Sequence, residues 1–335
     1  MKVYLKPFYG KIFKDDGVFN TNNGDNPFYG FDEKLKRVGI EISTSETKMI
    51  DSTWDIYSDV PFFWEVNRWI RLLRNKNKSI LFCFESPLIN PFSHMPLFFN
   101  FFKSVYTWND CLVNNKKIKK FFIPALNANQ ARKVFPFFKK KLIVVINSNI
   151  SVPYLFLFLS PFKHELYLER LKAIDYFEKR IPQEFHLYGR GWNAPKKYSL
   201  KERIFSFKIY RSYKGPIPRD PSSKVKILSQ YKFCLCFENC RANGYISEKI
   251  IDCLKAHVVP IYYGAPNIQD YIPKNCYLDY RDFVDNQSLL KCISSMSQDT
   301  YNQYIENGKR YLKNRFNKLW SEDAFMKVFL QALGL

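Results

Sequence analysis

An α/β chain of two Rossmann-like units facing a central cleft is what this sequence predicts, on three observations. Strand-like and helix-like segments alternate along most of the chain, the rhythm of parallel sheets with crossover helices. The 335 residues exceed the size at which one hydrophobic core usually stops growing. The rhythm also breaks once, at the polar and basic stretch NANQARKVFPFFKKK (127–141), and restarts on a strong strand. The expected division is a first unit over 1–140, a second over 141–310, and a helical tail over 311–335 that packs back on the first.

The elements follow in order. KVYLKPF reads as an opening strand, and FFWEVNRWIRLLRN (62–75) spaces apolar residues as a helix does. SILFCFE (79–85) is a buried strand that ends in a carboxylate, and SVYTW and KFFIPA read as short strands. Beyond the break come the strand KLIVVINSN, the helix HELYLERLKAIDYFEKR (164–180) and the strand and turn EFHLYGRGW. A short helix near SSKVKILSQ, the strand KFCLCFE, a helix from Ser247 to about Ala256 and the strand VVPIYYG complete the second unit. One long polar-periodic helical stretch (288–316) and the amphipathic SEDAFMKVFLQAL end the chain.

Composition narrows the function. The 52 Lys and Arg against 31 Asp and Glu favour an anionic partner: nucleic acid, anionic membrane or a phosphorylated small molecule. No helix-turn-helix, zinc-finger or RNP-type motif supports nucleic acid, so none is expected as a partner. The N-terminus is interrupted by Lys2, Lys6, Lys11 and Lys14 and does not read as a signal peptide. VPYLFLFLSPF (152–162) is about half the length that spans a bilayer. A cytoplasmic protein is expected. The lysine clusters at 116–120 and 139–141, with Arg68, Arg71 and Arg74 beside Trp64 and Trp69, are solvated faces or a docking surface for an anionic membrane. Eight cysteines without a C-x-x-C read as free thiols rather than a zinc site. The four histidines lack metal-ligand spacing and receive no role, beyond His257 as a favourable helix-end residue. No D-x-D motif is present, and no metal is expected.

The richest stretch is YKFCLCFENCRANGYISEKIIDCLKAHVVPIYYGAP (231–266). It is a strand-to-helix junction, where doubly wound domains bind ligands. Ser247 is a plausible N-cap; Glu248 and Lys249 open the helix, and Ile250, Ile251 and Leu254 pack it down. Lys249 opposes the helix dipole, which suits an anion site for a diphosphate. Gly244 permits close backbone approach, Tyr245 offers a ring face to a base or sugar, and Glu248 accepts from hydroxyls. Residue types alone favour a solvated helix start at Glu248–Lys249, and allow Glu238 and Asn239 as turn formers.

The pieces YKFCLCFEN, GYISEKIIDCL and VPIYYGAP, in order and spacing, resemble the signature of the α-1,3/4-fucosyltransferases, glycosyltransferase family 10, of bacterial type. Weaker similarity extends to FCFESP (82–87), INSN (146–149), the helix around Arg170 and LYGRG (187–191). The resemblance implies a GT-B fold and an inverting, metal-independent transfer of L-fucose from GDP-fucose to an N-acetylglucosamine or glucose unit of a glycan, in α-1,3 linkage, as in lipopolysaccharide O-antigen synthesis. It places Lys249 and Arg170 on the donor diphosphate, Glu248 and Tyr245 on ribose or sugar, and Asn239 in the donor pocket. Inversion needs one general base from the acceptor side; Glu85, ending an apolar strand in an ESP turn that the family also has, is the candidate. A different nucleotide sugar on the same fold is the alternative.

Overall fold

A computed structural model of the chain describes residues 1–8, 16–21, 26–126, 131, 135–150, 152–160, 164–193, 210–218 and 220–335. Among these residues, eleven strands form two parallel sheets. The first holds β1 (Lys2–Lys6), β2 (Glu41–Ser43), β3 (Trp54–Ser58), β4 (Ser79–Cys83), β5 (Ser104–Thr107) and β6 (Ile118–Lys120), in the order β2-β1-β3-β4-β5-β6. The second holds β7 (Lys141–Ile146), β8 (Phe185–Tyr188), β9 (Tyr231–Phe237), β10 (Val259–Tyr263) and β11 (Leu278–Asp279), in the order β11-β10-β9-β7-β8. Each sheet therefore reverses its winding beside its first strand, between β1 and β3 and between β7 and β9. Ligands of such sheets bind outside the strand carboxyl ends at this point. With its two Rossmann-like sheets the chain has the GT-B fold.

Burial explains the unbroken apolar runs. All five residues of β4 are buried, because both sheet faces are covered. One face of the first sheet packs Ile56, Ile80 and Phe82 against Phe31, Phe325 and Phe329. The last two rings belong to the helix Glu322–Ala332, so the end of the chain completes the core of the first sheet. Phe82 meets Phe325 and Phe329 at centroid distances of 5.8 and 5.9 Å.

Several elements differ from the sequence reading. The helix expected over 62–75 runs only from Val66 to Arg74. Phe62 instead forms a turn whose N–H donates to the Glu65 carboxylate at 2.7 Å. The strand expected at KFFIPA lies earlier, at Ile118–Lys120, since Phe121 turns into the core and Pro124 lacks an N–H for a ladder. The long polar stretch is two helices, Asn286–Ser295 and Gln298–Tyr311. They part at Ser297, whose hydroxyl accepts from the Thr300 N–H. The 127–141 break falls largely outside the described residues, apart from a 3-10 turn at Phe137–Lys139. Among the described residues no helix is long and apolar enough to cross a membrane.

Candidate active site

The carboxyl ends of both sheets open onto one cavity of about 550 Å³. Pro7 and Phe8 after β1, Asp59 after β3 and Glu85 after β4 line its first wall. Asn147 and Ser148 after β7, Arg170, Asn239, Tyr245, Glu248 and Lys249 line its second. All six residues singled out from sequence thus meet in one place. Volume and polar lining suit a nucleotide-sized ligand.

The second wall is organised around Glu238, fully buried at the end of β9. Its carboxylate accepts from the Ser247 N–H at 2.9 Å and hydroxyl at 2.7 Å, and from Lys249 Nζ at 3.2 Å. Two expectations are corrected here. Glu238 is an anchor rather than a turn former. Ser247 occupies the N-cap of the helix Glu248–Lys255, but its hydroxyl goes to Glu238 and makes no cap bond. Lys249 is stable against the helix dipole because Glu238 lies beneath it. Burial opposes the Lys249 charge, but Glu238 and Glu248 outweigh burial and hold its pKa above the ordinary value. Burial would likewise raise Glu248; Lys249 and Lys224 outweigh it and hold that carboxyl down at about 2. The solvated-pair alternative for Glu248 and Lys249 fails, since their side chains are only 23% and 17% exposed.

Arg170 sits in the helix Tyr167–Arg180, buried, with its guanidinium over the Tyr167 ring. Nη2 donates to the carbonyls of Phe237 and Glu238 at 2.9 and 2.8 Å, which locks the arginine to the end of β9. Among the described residues its Nε and the Tyr167 hydroxyl have no hydrogen-bond partner, a rare condition for buried groups outside ligand sites. Lys224 was missed in the sequence. It reaches the site because Ser223–Leu228 packs on Glu248–Lys255, placing Nζ 2.6 Å from buried Asp252 and 3.5 Å from Glu248.

Tyr245 corrects a third expectation. Its ring is buried against Trp108, centroids 4.6 Å apart, in an apolar cluster with Leu88 and Tyr167. A face packed in this way is not open to a base or sugar. Its hydroxyl accepts from Asn239 Nδ2 at 3.4 Å. The preceding Gly244 has φ 78°, and a Cβ there would lie 2.3 Å from the Trp108 carbonyl oxygen and 2.7 Å from Lys120 Nζ. This is where the two units clasp: Asp110 accepts from Lys120, Asn267 and Tyr271. Gly244→Ala is expected to lower the melting temperature; left-handed backbone alone costs a non-glycine residue about 1–2 kcal/mol. A melt unchanged within a degree contradicts this close approach.

On the first wall, β4 stops at Cys83, and Glu85 lies two residues beyond it, half-buried. Its N–H donates to both carboxylate oxygens of Asp59, at 3.3 and 3.2 Å. Its carbonyl accepts from His94 Nε2 at 2.8 Å. His94, given no role from sequence, is buried and lowered to about 4 by that burial, so it is a neutral support for the Glu85 turn. His257 is not a charged helix cap either: burial, then Lys309 and Lys140, lower it to about 4. It takes the left-handed position (φ 55°) after the helix, a role of backbone rather than charge. The eight cysteines are free, and among the described residues no group of three or more His, Cys, Asp or Glu is placed to hold a metal ion.

Comparison with known proteins adds to this geometry. The model of the C-terminal domain of glycosyltransferase family 10 (fucosyltransferase) matches residues 165–331. Alpha-(1,3)-fucosyltransferase FucT of Helicobacter pylori is 33% identical over 153 residues, 42% of this chain and 31% of that protein. GDP-fucose protein O-fucosyltransferase 3 of Xenopus laevis is 50% identical over 146 residues, 39% of this chain and 31% of that protein. The matched regions span less than a third of these curated relatives. Among solved structures, an alpha1,3-fucosyltransferase with GDP superposes over all of this chain and 90% of its own, with TM-score 0.60 and 16% identity. An alpha-glucosyltransferase with UDP and DNA covers both chains fully, with TM-score 0.58 and 11% identity. These structural likenesses concern the fold alone. The match of the family model over the half that carries Arg170, Asn239, Tyr245, Glu248 and Lys249 shows that the chain belongs to glycosyltransferase family 10.

Proposed function

We propose that this chain is an inverting α-1,3-fucosyltransferase that moves L-fucose from GDP-β-L-fucose to a hydroxyl of an N-acetylglucosamine or glucose unit in a glycan. The observation that carries the reading is the juxtaposition of two sets of groups across one cavity. Lys249 and Arg170, both tied to the end of β9, share the cavity with the Glu85 turn on the opposite wall. In this reading the unit over 1–140 holds the acceptor, that over 141–310 holds the donor, and 311–335 is the tail.

Glu85 takes the proton of the acceptor hydroxyl as that oxygen forms its bond to the fucose anomeric carbon. The bond from that carbon to the diphosphate breaks, and GDP leaves with the electron pair. Lys249 and Arg170 stabilise the charge that develops on the leaving diphosphate, and the first turn of the Glu248–Lys255 helix adds backbone N–H groups. Glu248, held ionised, accepts from ribose or sugar hydroxyls. Asn239 and the Tyr245 hydroxyl close the donor pocket. No step calls for a metal ion.

The natural setting proposed is lipopolysaccharide O-antigen or a related glycoconjugate, made on the cytoplasmic side with peripheral contact to an anionic membrane. Phe63, Trp64, Leu155 and Phe158 are exposed, on two segments joined by the Phe62–Phe156 stack at 5.6 Å, and support that contact, whereas Trp69 packs inward on Phe98 and Phe101. The O-fucosyltransferase relatives act on protein by name, so a test needs both acceptor classes. Labelled GDP-fucose, and in parallel other labelled UDP- and GDP-linked sugars, are offered with oligosaccharides ending in N-acetylglucosamine or glucose, with lipopolysaccharide cores and with folded peptide domains, each with and without EDTA. Transfer to the glycans that persists in EDTA, with α-1,3 linkage by product analysis, is expected. Transfer confined to peptide moves the acceptor class, transfer only from UDP- or GDP-linked sugars other than fucose overturns the donor, and loss in EDTA overturns metal independence.

A further inference from the structure

Asp59 stands out by its surroundings. It follows β3 with φ 65°, a left-handed backbone that glycine, asparagine and aspartate adopt more readily than other residues. Its side chain is fully buried, where an ionisable group costs desolvation. It nevertheless lines the cavity and accepts the Glu85 N–H on both oxygens. The contact follows from topology. β3 and β4 are neighbours that end together, Ser58 opposite Phe82, and the Asp59 N–H donates to the Phe82 carbonyl at 2.8 Å.

The surroundings are those of a charge-bearing centre. From β1, Lys6 is fully buried, its Nζ 3.7 Å from Glu65 and without a hydrogen-bond partner among the described residues. Glu65 and Arg68 lie at the start of the Val66–Arg74 helix. Ser93 and the neutral His94 approach from the Pro91–His94 turn, and Cys83 from β4. Burial first, then the charge of Glu85, push the Asp59 carboxyl up to about 7, against the pull of Ser93 and Lys6. Burial lowers Lys6 to about 8, with Glu65 opposing, so it is still cationic at neutral pH.

We propose that Asp59 is a positioning residue for Glu85, and that the two carboxyls work as one pair in which ionised Asp59 makes Glu85 the stronger base. This rests on Glu85 being the base of the transfer. Below neutral pH the pair keeps one proton and one negative charge. Above it both groups are ionised, and their repulsion makes capture of the acceptor proton more favourable. The transfer rate then rises with pH through an ionisation near neutrality, beyond the rise that a single ordinary carboxylate gives.

The test is the pH profile of single-turnover transfer by the full chain, with GDP affinity and melting temperature measured in parallel. Asp59→Asn suits the left-handed backbone and keeps an oxygen for the Glu85 N–H. It is expected to remove the neutral-pH rise, leaving transfer about tenfold slower at pH 8 yet within about twofold at pH 5.5, with GDP affinity unchanged. Lys6→Met removes a charge that favours ionised Asp59, so the same rise moves to higher pH by about one unit. A uniform loss at every pH in Asp59→Asn, or a profile that overlays the parent, overturns the proposal. If Asp59→Asn fails to fold, the Lys6→Met profile decides: an unmoved rise overturns it. Glu85→Gln separates the failures. If Glu85→Gln transfers normally, the base itself is wrong; if it is inactive while the Asp59→Asn profile parallels the parent, only the pairing is wrong.

Discussion

Glu85→Gln is expected to reduce transfer at least about a thousandfold while GDP still binds with its parent affinity. General-base catalysis contributes about 10²–10⁴-fold, and here it is supplied by one carboxylate. The amide is nearly isosteric, so the turn survives: the Glu85 N–H to Asp59 and carbonyl from His94 belong to the backbone and are untouched. The donor groups lie on the opposite wall and keep their own anchor, Glu238. Single-turnover transfer and GDP titration, run on the same preparation, read the two effects separately. A variant that binds GDP and transfers at the parent rate removes Glu85 from the chemistry.

Lys249→Ala is expected to weaken GDP binding about a hundredfold, equivalent to about 2.7 kcal/mol. Charge-assisted hydrogen bonds account for about 1.5–3 kcal/mol of that range. The argument rests on what remains. Without Lys249, buried Glu238 keeps, among the described residues, the Ser247 N–H and hydroxyl, and Arg170 is left to balance its negative charge beside the diphosphate. Lys224 cannot replace the lost cation, since it is held by Asp252 at 2.6 Å. Glu238→Gln is the complementary change: it frees Lys249 from its anchor, so affinity falls through misplacement rather than lost charge. Isothermal titration with GDP at two salt concentrations checks both. An unchanged Kd in Lys249→Ala places the diphosphate elsewhere in the cavity.

Much of this protein is determined by sequence alone, for a physical reason: periodicity and local motifs are properties of neighbouring residues. The apolar runs of β4, β7 and β9 announce strands buried on both faces, and the order of GYISEKIIDCL announces a helix opening at Glu248. The six candidate site residues follow from those motifs and a family resemblance carried by them. Tertiary structure alone decided the partners. Lys249 is paired with Glu238, eleven residues earlier, only because the strand end and helix start fold onto one another. Tyr245 lost its open face to Trp108, a residue of the other unit. Asp59 reached Glu85 because β3 and β4 end side by side, His94 because the Pro91–His94 turn folds back on the end of β4, and the left-handed turn at Asp59 leaves no mark in composition or spacing. Charge compensation and burial depend on groups distant in sequence, and these set which carboxylate is an anchor and which is held ionised.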